Sequence, residues 1–303
     1  MTQRINLQNT PDSNDVQRKS IRFTRGDAEL EGLLFLPKNA QAPLPAVVVT
    51  GAWTTVKEQM AGTYARALAE RGFVAFVFDF AGWGESSGSP RFREDPVAKT
   101  ADIHAAIDVL AAQAEVDAER LFGLGVCASA GYMASAAADH PKVRKLALVA
   151  PWLHDPSIAE GIYGGAESVK ALIAAGRAAE TTPTSIVAAS TTDEGALMFG
   201  APYYTEADRG LIDAYDNRFD VASWEPWLTY DAQVIAERLT VPTLVVCSEA
   251  TALPAGAHAF VERTKAEVTE QWMPEVNQFD FYDRADVVTA AVDAVAAHLG
   301  GAR

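Results

Sequence analysis

The feature that most constrains this chain is an alternation. Continuous apolar runs rich in β-branched residues, "LPAVVVTG" (44–51), "GFVAFVFDF" (72–80), "RLFGLGV" (120–126), "VRKLALVAP" (143–151) and "VPTLVVCS" (241–248), are separated by alanine-rich stretches of helical spacing. A strand that is apolar at every position has no polar face to offer water, so both of its faces must be covered. Helices lying between the runs supply that cover, which predicts α/β architecture: a mostly parallel sheet with helices on both faces. Helices are expected near 57–71, 97–116, 128–139, 257–266 and 286–299. "SIRFTRG" and "ELEGLLFLP", meeting at Gly26 and Asp27, read as an opening antiparallel pair.

One segment breaks the rhythm. Residues 152–238 hold no run of comparable strength and are rich in Gly, Tyr and Trp ("IYGG", "PYYTEADRG", "SWEPWLTYD"). They read as a helical lid insertion over the carboxyl edge of the sheet, where open α/β sheets place their ligands. The α/β core is then 1–151 with 239–303.

The formal charge of −15 argues against nucleic acid as a partner, because phosphate binders gather Lys and Arg on one face. The polar start "MTQRINLQNTPDSNDVQRKS" has no apolar centre of the kind a signal peptide needs, and no long uncharged apolar run suggests a membrane span. A cytoplasmic protein with a small-molecule substrate is expected, and a homodimer is compatible with the sequence. Two cysteines, Cys127 and Cys247, make no disulfide framework. Cys247 reads as a buried strand end. No metal-ligand spacing or phosphate loop is present, so no metal and no cofactor is expected.

The stretch "GLGVCASAGY" (123–132) carries the strongest chemical signal. A strand turning sharply into a helix needs small residues two before and two after its apex, so that the two backbones can approach. Gly125 and Ser129 stand at those spacings around Cys127, and the shifted register that puts Ser129 at the apex, with Gly131 behind it, is the rival. An apex side chain stands above the sheet beside a helix N-terminus, where a nucleophile belongs. The amide of Ala128 would form half of an oxyanion hole, and one from Ala52 or Trp53 the other half.

Together with "TGAWTTVKEQMAGTYARALAERGF", "DFAGWGESSG", "APWLHD" and "FDFYDRADVV", in this order along most of the chain, the "GVCAS" elbow resembles the α/β-hydrolase superfamily, in its dienelactone-hydrolase-like and Xaa-Pro-peptidase-like esterase branch. The resemblance implies the α/β-hydrolase fold with Cys127 as nucleophile. It also exposes two departures. Gln278 stands where the family's catalytic histidine is expected, and Thr251 where its acid is expected, with Glu249 two residues earlier. A glutamine amide takes no proton, so the usual relay cannot be assembled.

Cysteine softens that loss, being a few per cent thiolate near neutrality; water attack on the resulting thioester still needs a base. Glu249, Glu58 and His154 are the candidates to supply one, and His154 and Thr251 are candidate substrate contacts. His104, His140, His258 and His298 read as outer-helix residues; Trp53, Trp224 and Trp227 read as pocket walls or core. The expected function is a cysteine-based enzyme acting on a small ester, lactone or thioester. Two alternatives stand: a non-hydrolytic lyase, isomerase or cyclase in which Gln278 positions the substrate, and a ligand-binding pseudoenzyme.

Overall fold

The computed structural model describes residues 3–5, 7, 15–38 and 43–300; most of the polar start lies outside them. β1 (Val16–Arg25) and β2 (Ala28–Pro37) pair antiparallel through a turn at Gly26, whose φ of +57° suits glycine. There follow β3 (Leu44–Thr50), α1 (Met60–Ala69), β4 (Val74–Phe78), α2 (Pro96–Ala111), β5 (Val116–Val126), α3 (Ser129–Asp139) and β6 (Val143–Val149). After residue 238 come β11 (Thr243–Cys247), α9 (Pro254–Arg263), β12 (Val268–Trp272), α10 (Asp280–Asp283) and α11 (Ala285–Gly300), the labels β7–β10 and α4–α8 belonging to the segment between.

The eight-stranded sheet runs β1-β2-β4-β3-β5-β6-β11-β12. It is parallel from β4 to β12 and antiparallel at β1, β2 and their junction with β4. Every residue of β4 and β11 is buried, as the unbroken apolar runs require. β12 escapes the apolar pattern because it is an edge strand: its sequence, VTEQW, is polar and half exposed. The chain leaves β3 to one side for β4 and returns to the other side for β5. That reversal makes a switch point at the carboxyl ends of β3 and β5, where loops diverge and leave a crevice.

Residues 152–238 add no strand to this sheet. They form α4 (Pro156–Ile162), α5 (Ala166–Ala179), β7 (Ser185–Val187), β8 (Ala189–Ser190), β9 (Met198–Phe199), α6 (Pro202–Thr205), β10 (Arg218–Asp220), α7 (Trp224–Leu228) and α8 (Gln233–Ala236). The segment is therefore not purely helical, since β7 pairs with β10 and β8 with β9. Among the described residues no helix is long and apolar enough to cross a membrane.

Candidate active site

Cys127 is the apex of the turn between β5 and α3. Its φ is +58°, whereas Ser129 is already the first residue of α3, which removes the rival register. Gly125 is demanded by packing: a Cβ there would lie 2.6 Å from the Ser129 carbonyl oxygen and 2.7 Å from the Ala130 Cα. The left-handed conformation is held by three backbone hydrogen bonds: Cys127 N–H donates to Val149 O (3.1 Å), and Cys127 O accepts from Trp152 N (2.9 Å) and Ala130 N (3.1 Å). Such strain persists only where the surroundings fix it, and it concentrates at functional turns.

Three groups that favour the ionised form face the Cys127 thiol: the backbone amides of Ala128 and Trp53, and the hydroxyl of Tyr282. Burial pushes the thiol pKa up, and these three groups, which favour the thiolate, only partly offset it. The Trp53 amide is placed by the loop after β3. There Lys57, itself buried, donates its backbone N–H to Asp79 Oδ1 (2.8 Å) and its ammonium to Asp79 Oδ2 (2.7 Å). Glu58 and Glu85 complete the ring of carboxylates around that ammonium, at 2.8 and 2.6 Å. The Trp53 ring is stacked on Trp227, with centroids 4.9 Å apart.

Gln278 occupies the turn before α10 and is fully engaged. Its Nε2 donates to Ala150 O and to the Tyr282 hydroxyl, both at 2.9 Å, and its Oε1 accepts from Ala252 N at 3.1 Å. Because Nε2 is only a donor, the Tyr282 oxygen accepts there and its own proton is left for the Cys127 sulfur or the neighbouring Tyr204 hydroxyl. Gln278 thus reaches the sulfur through Tyr282. The turn is locked by buried ion pairs: Arg209 grips both oxygens of Asp283, at 2.6 and 2.9 Å, and Arg4 reaches Asp280 and Asp283.

The other expected participants lie elsewhere. The Glu249 side chain is 72% exposed, paired with His258 Nε2 at 2.8 Å, and does not line the cavity above Cys127. Thr251 turns inward, donating its hydroxyl to Ser248 O at 2.8 Å. His154 is buried behind Trp152 and Trp227: its Nδ1 accepts from the Trp152 indole (3.1 Å), and its Nε2 donates to Trp227 O (2.8 Å). Burial lowers its pKa, and no ring nitrogen is left over for a proton or a substrate. Glu58 is tied to Lys57. Tyr282 and Tyr204 went unread, although Tyr282 follows Gln278 at the i+4 spacing that brings two side chains onto one helical face.

The cavity over the sulfur has a volume of about 640 Å³. Cys127, Ala128, Gln278 and Tyr282 form part of its lining, and Trp53, Trp152, Trp224, Trp227, Tyr163, Tyr204, Phe279, Ile162, Leu197 and Met198 supply aromatic and aliphatic wall. Among the described residues no group of three His, Cys, Asp or Glu side chains is arranged to hold a metal ion.

Residues 47–198 match the sequence family described as Serine aminopeptidase, S33. The chain belongs to this α/β-hydrolase family. It is 31% identical to the uncharacterized protein YcjY of Escherichia coli K12 over 83% of this chain and 86% of that one. The crystal structure of the hypothetical protein PA2218 from Pseudomonas aeruginosa superposes with a TM-score of 0.84 at 24% identity, covering 96% of this chain and 95% of the other. A thiohydrolase, aneE of Aspergillus aculeatus, is 29% identical over 47% of this chain and 44% of its own.

Proposed function

We propose that the chain is an acyl-transferring hydrolase in which Cys127 attacks a small ester, lactone or thioester and becomes acylated. The observation that carries this reading is the convergence of the Trp53 and Ala128 amides and the Tyr282 hydroxyl on one buried sulfur at the edge of an apolar cavity. In the tetrahedral intermediate the two amides serve the developing oxyanion, a kind of stabilisation worth roughly 3 kcal/mol per donor. Tyr282, held by Gln278, donates to the sulfur and favours its anionic form. The likeness to a protein named thiohydrolase supports acyl–sulfur chemistry.

A second reading is favoured because the polar groups that face the sulfur, the Ala128 and Trp53 amides and the Tyr282 hydroxyl, are donors. Such a site stabilises an oxyanion or enolate and lacks a group to activate water, which suits a lyase, isomerase or cyclase. Kinetics with an activated ester separate the two. An acylating enzyme with poor water activation releases a burst of about one nitrophenol per site from nitrophenyl acetate and then turns over slowly. Cys127→Ala abolishes the burst, and Gln278→His, which brings a base, accelerates the slow phase. Absence of a burst with every acyl donor tried favours the non-hydrolytic reading.

A further inference from the structure

The cavity wall offers a substrate aromatic and aliphatic surface, and among the described residues no Lys, Arg, His, Asp or Glu side chain lines it. A charge carried onto this wall, away from the donors at Cys127, loses its water and gains no ionic partner, a cost of several kcal/mol. An apolar acyl group gains instead, at about 25 cal/mol for each Å² removed from water. Four of the lining residues are tryptophans, whose broad rings favour a flat partner through offset stacking.

The surroundings of the cavity carry the second constraint. Residues 152–238, which contribute Ile162, Tyr163, Leu197, Met198, Trp224 and Trp227 to the wall, hold fourteen acidic side chains against five basic ones. That excess of nine is more than half of the chain's net −15, carried by less than a third of its length. Exposed Glu160, Asp193, Glu194, Glu249 and Glu275 stand within four residues of positions that line the cavity. A field of this sign lowers the local concentration of polyanions and slows their approach.

We propose that the Cys127 cavity takes an uncharged acyl donor, with an aromatic or extended apolar acyl group and a leaving group that bears no phosphate. This rests on the reading of Cys127 as the acyl-accepting nucleophile. The chemistry suits a thioester donor in particular. The Cys127 S–H is lost, its sulfur bonds the carbonyl carbon, the donor's carbon–sulfur bond breaks, and the departing thiolate takes up the proton that Cys127 released. Exchange of one thioester for another therefore needs no net base, in keeping with a site whose histidine position holds Gln278.

The test compares two donors that share an acyl group and a leaving thiol of near-equal reactivity, S-phenylacetyl-N-acetylcysteamine and phenylacetyl-coenzyme A. Intact mass follows acylation of the wild-type chain at low salt. The neutral donor is expected to react at least about tenfold faster, with the gap narrowing as added salt screens the field. Equal or faster acylation by the coenzyme A ester overturns the proposal. An independent readout uses Cys127→Ala and the quenching of tryptophan fluorescence by phenylacetamide and by its 4-carboxylate derivative, whose charge lies at the far end of the ring from the donors around residue 127. The uncharged amide is expected to bind at least about tenfold more tightly, and a carboxylate that binds as well as the uncharged amide overturns the charge preference. Failure of both donors to modify Cys127 overturns the nucleophile reading instead, and the binding ratio still decides which charge the cavity accepts.

Discussion

Gln278 Nε2 donates to the Tyr282 hydroxyl at 2.9 Å, and that hydroxyl reaches the Cys127 sulfur. A side chain that takes no proton thereby serves as the anchor of a phenol. Gln278 sets which lone pair of Tyr282 is occupied, and so directs the remaining proton toward the sulfur or Tyr204.

Removing that hydroxyl should change the thiol more than the fold. In Tyr282→Phe the ring keeps its packing and the sulfur loses one donor, worth about 1.5 to 3 kcal/mol to an ionised partner. Burial already holds the Cys127 pKa above that of an ordinary thiol, so alkylation by iodoacetamide should rise with pH and reach half its limit on the alkaline side of about 8.5. In Tyr282→Phe that midpoint should move higher still, by roughly one to two pH units, because the neutral thiol is now favoured further. A midpoint that stays in place or falls would show that Tyr282 does not serve the thiolate.

Glu249→Gln should leave acylation and turnover within about twofold of the wild type, the range of a surface change remote from the chemistry. The carboxylate is exposed and occupied by His258. A tenfold loss in steady-state nitrophenyl acetate hydrolysis would restore Glu249 as the base.

Asp79→Asn should act on the oxyanion loop. It removes one partner of the buried Lys57 ammonium, at a cost near 3 kcal/mol, which urea unfolding would register. The Trp53 amide is positioned by the same loop, so the burst should slow by about tenfold or more, and the thiol's alkylation midpoint should move upward, because that amide also favours the thiolate. An unchanged burst would mean that the loop is held without the Lys57–Asp79 pair.

His154→Ala should be a stability variant. It leaves the Trp152 indole N–H and the Trp227 carbonyl without their partner, and buried groups stranded in this way cost about 1 to 3 kcal/mol each. The pH midpoint of Cys127 alkylation should be unaffected, which separates a structural histidine from a catalytic one.

The sheet was legible because parallel strands covered on both faces must be apolar throughout, and the elbow because Gly125 answers a contact that only a missing Cβ allows. Strands of two or three residues, such as Ala189–Ser190, carry no period, so the small pairs within 152–238 went unseen. β12 was missed because an edge strand keeps its polar residues. Glu249 and Thr251 were placed by their distance along the chain from the end of β11, yet position in a loop does not fix direction: Thr251 folds back onto Ser248 and Glu249 points to solvent. Tyr282 stands in the same stretch of sequence as Gln278, four residues on, a spacing that can bring two side chains together.

The most direct measurement of the central claim is peptide mapping by tandem mass spectrometry after the wild-type chain is quenched during the nitrophenyl acetate burst. One acetyl group on the peptide that contains Cys127, absent from the Cys127→Ala chain and present in proportion to the nitrophenol released, is the expected result. A full burst with Cys127 unmodified, or with the acetyl group on Ser129 or another side chain, would contradict it.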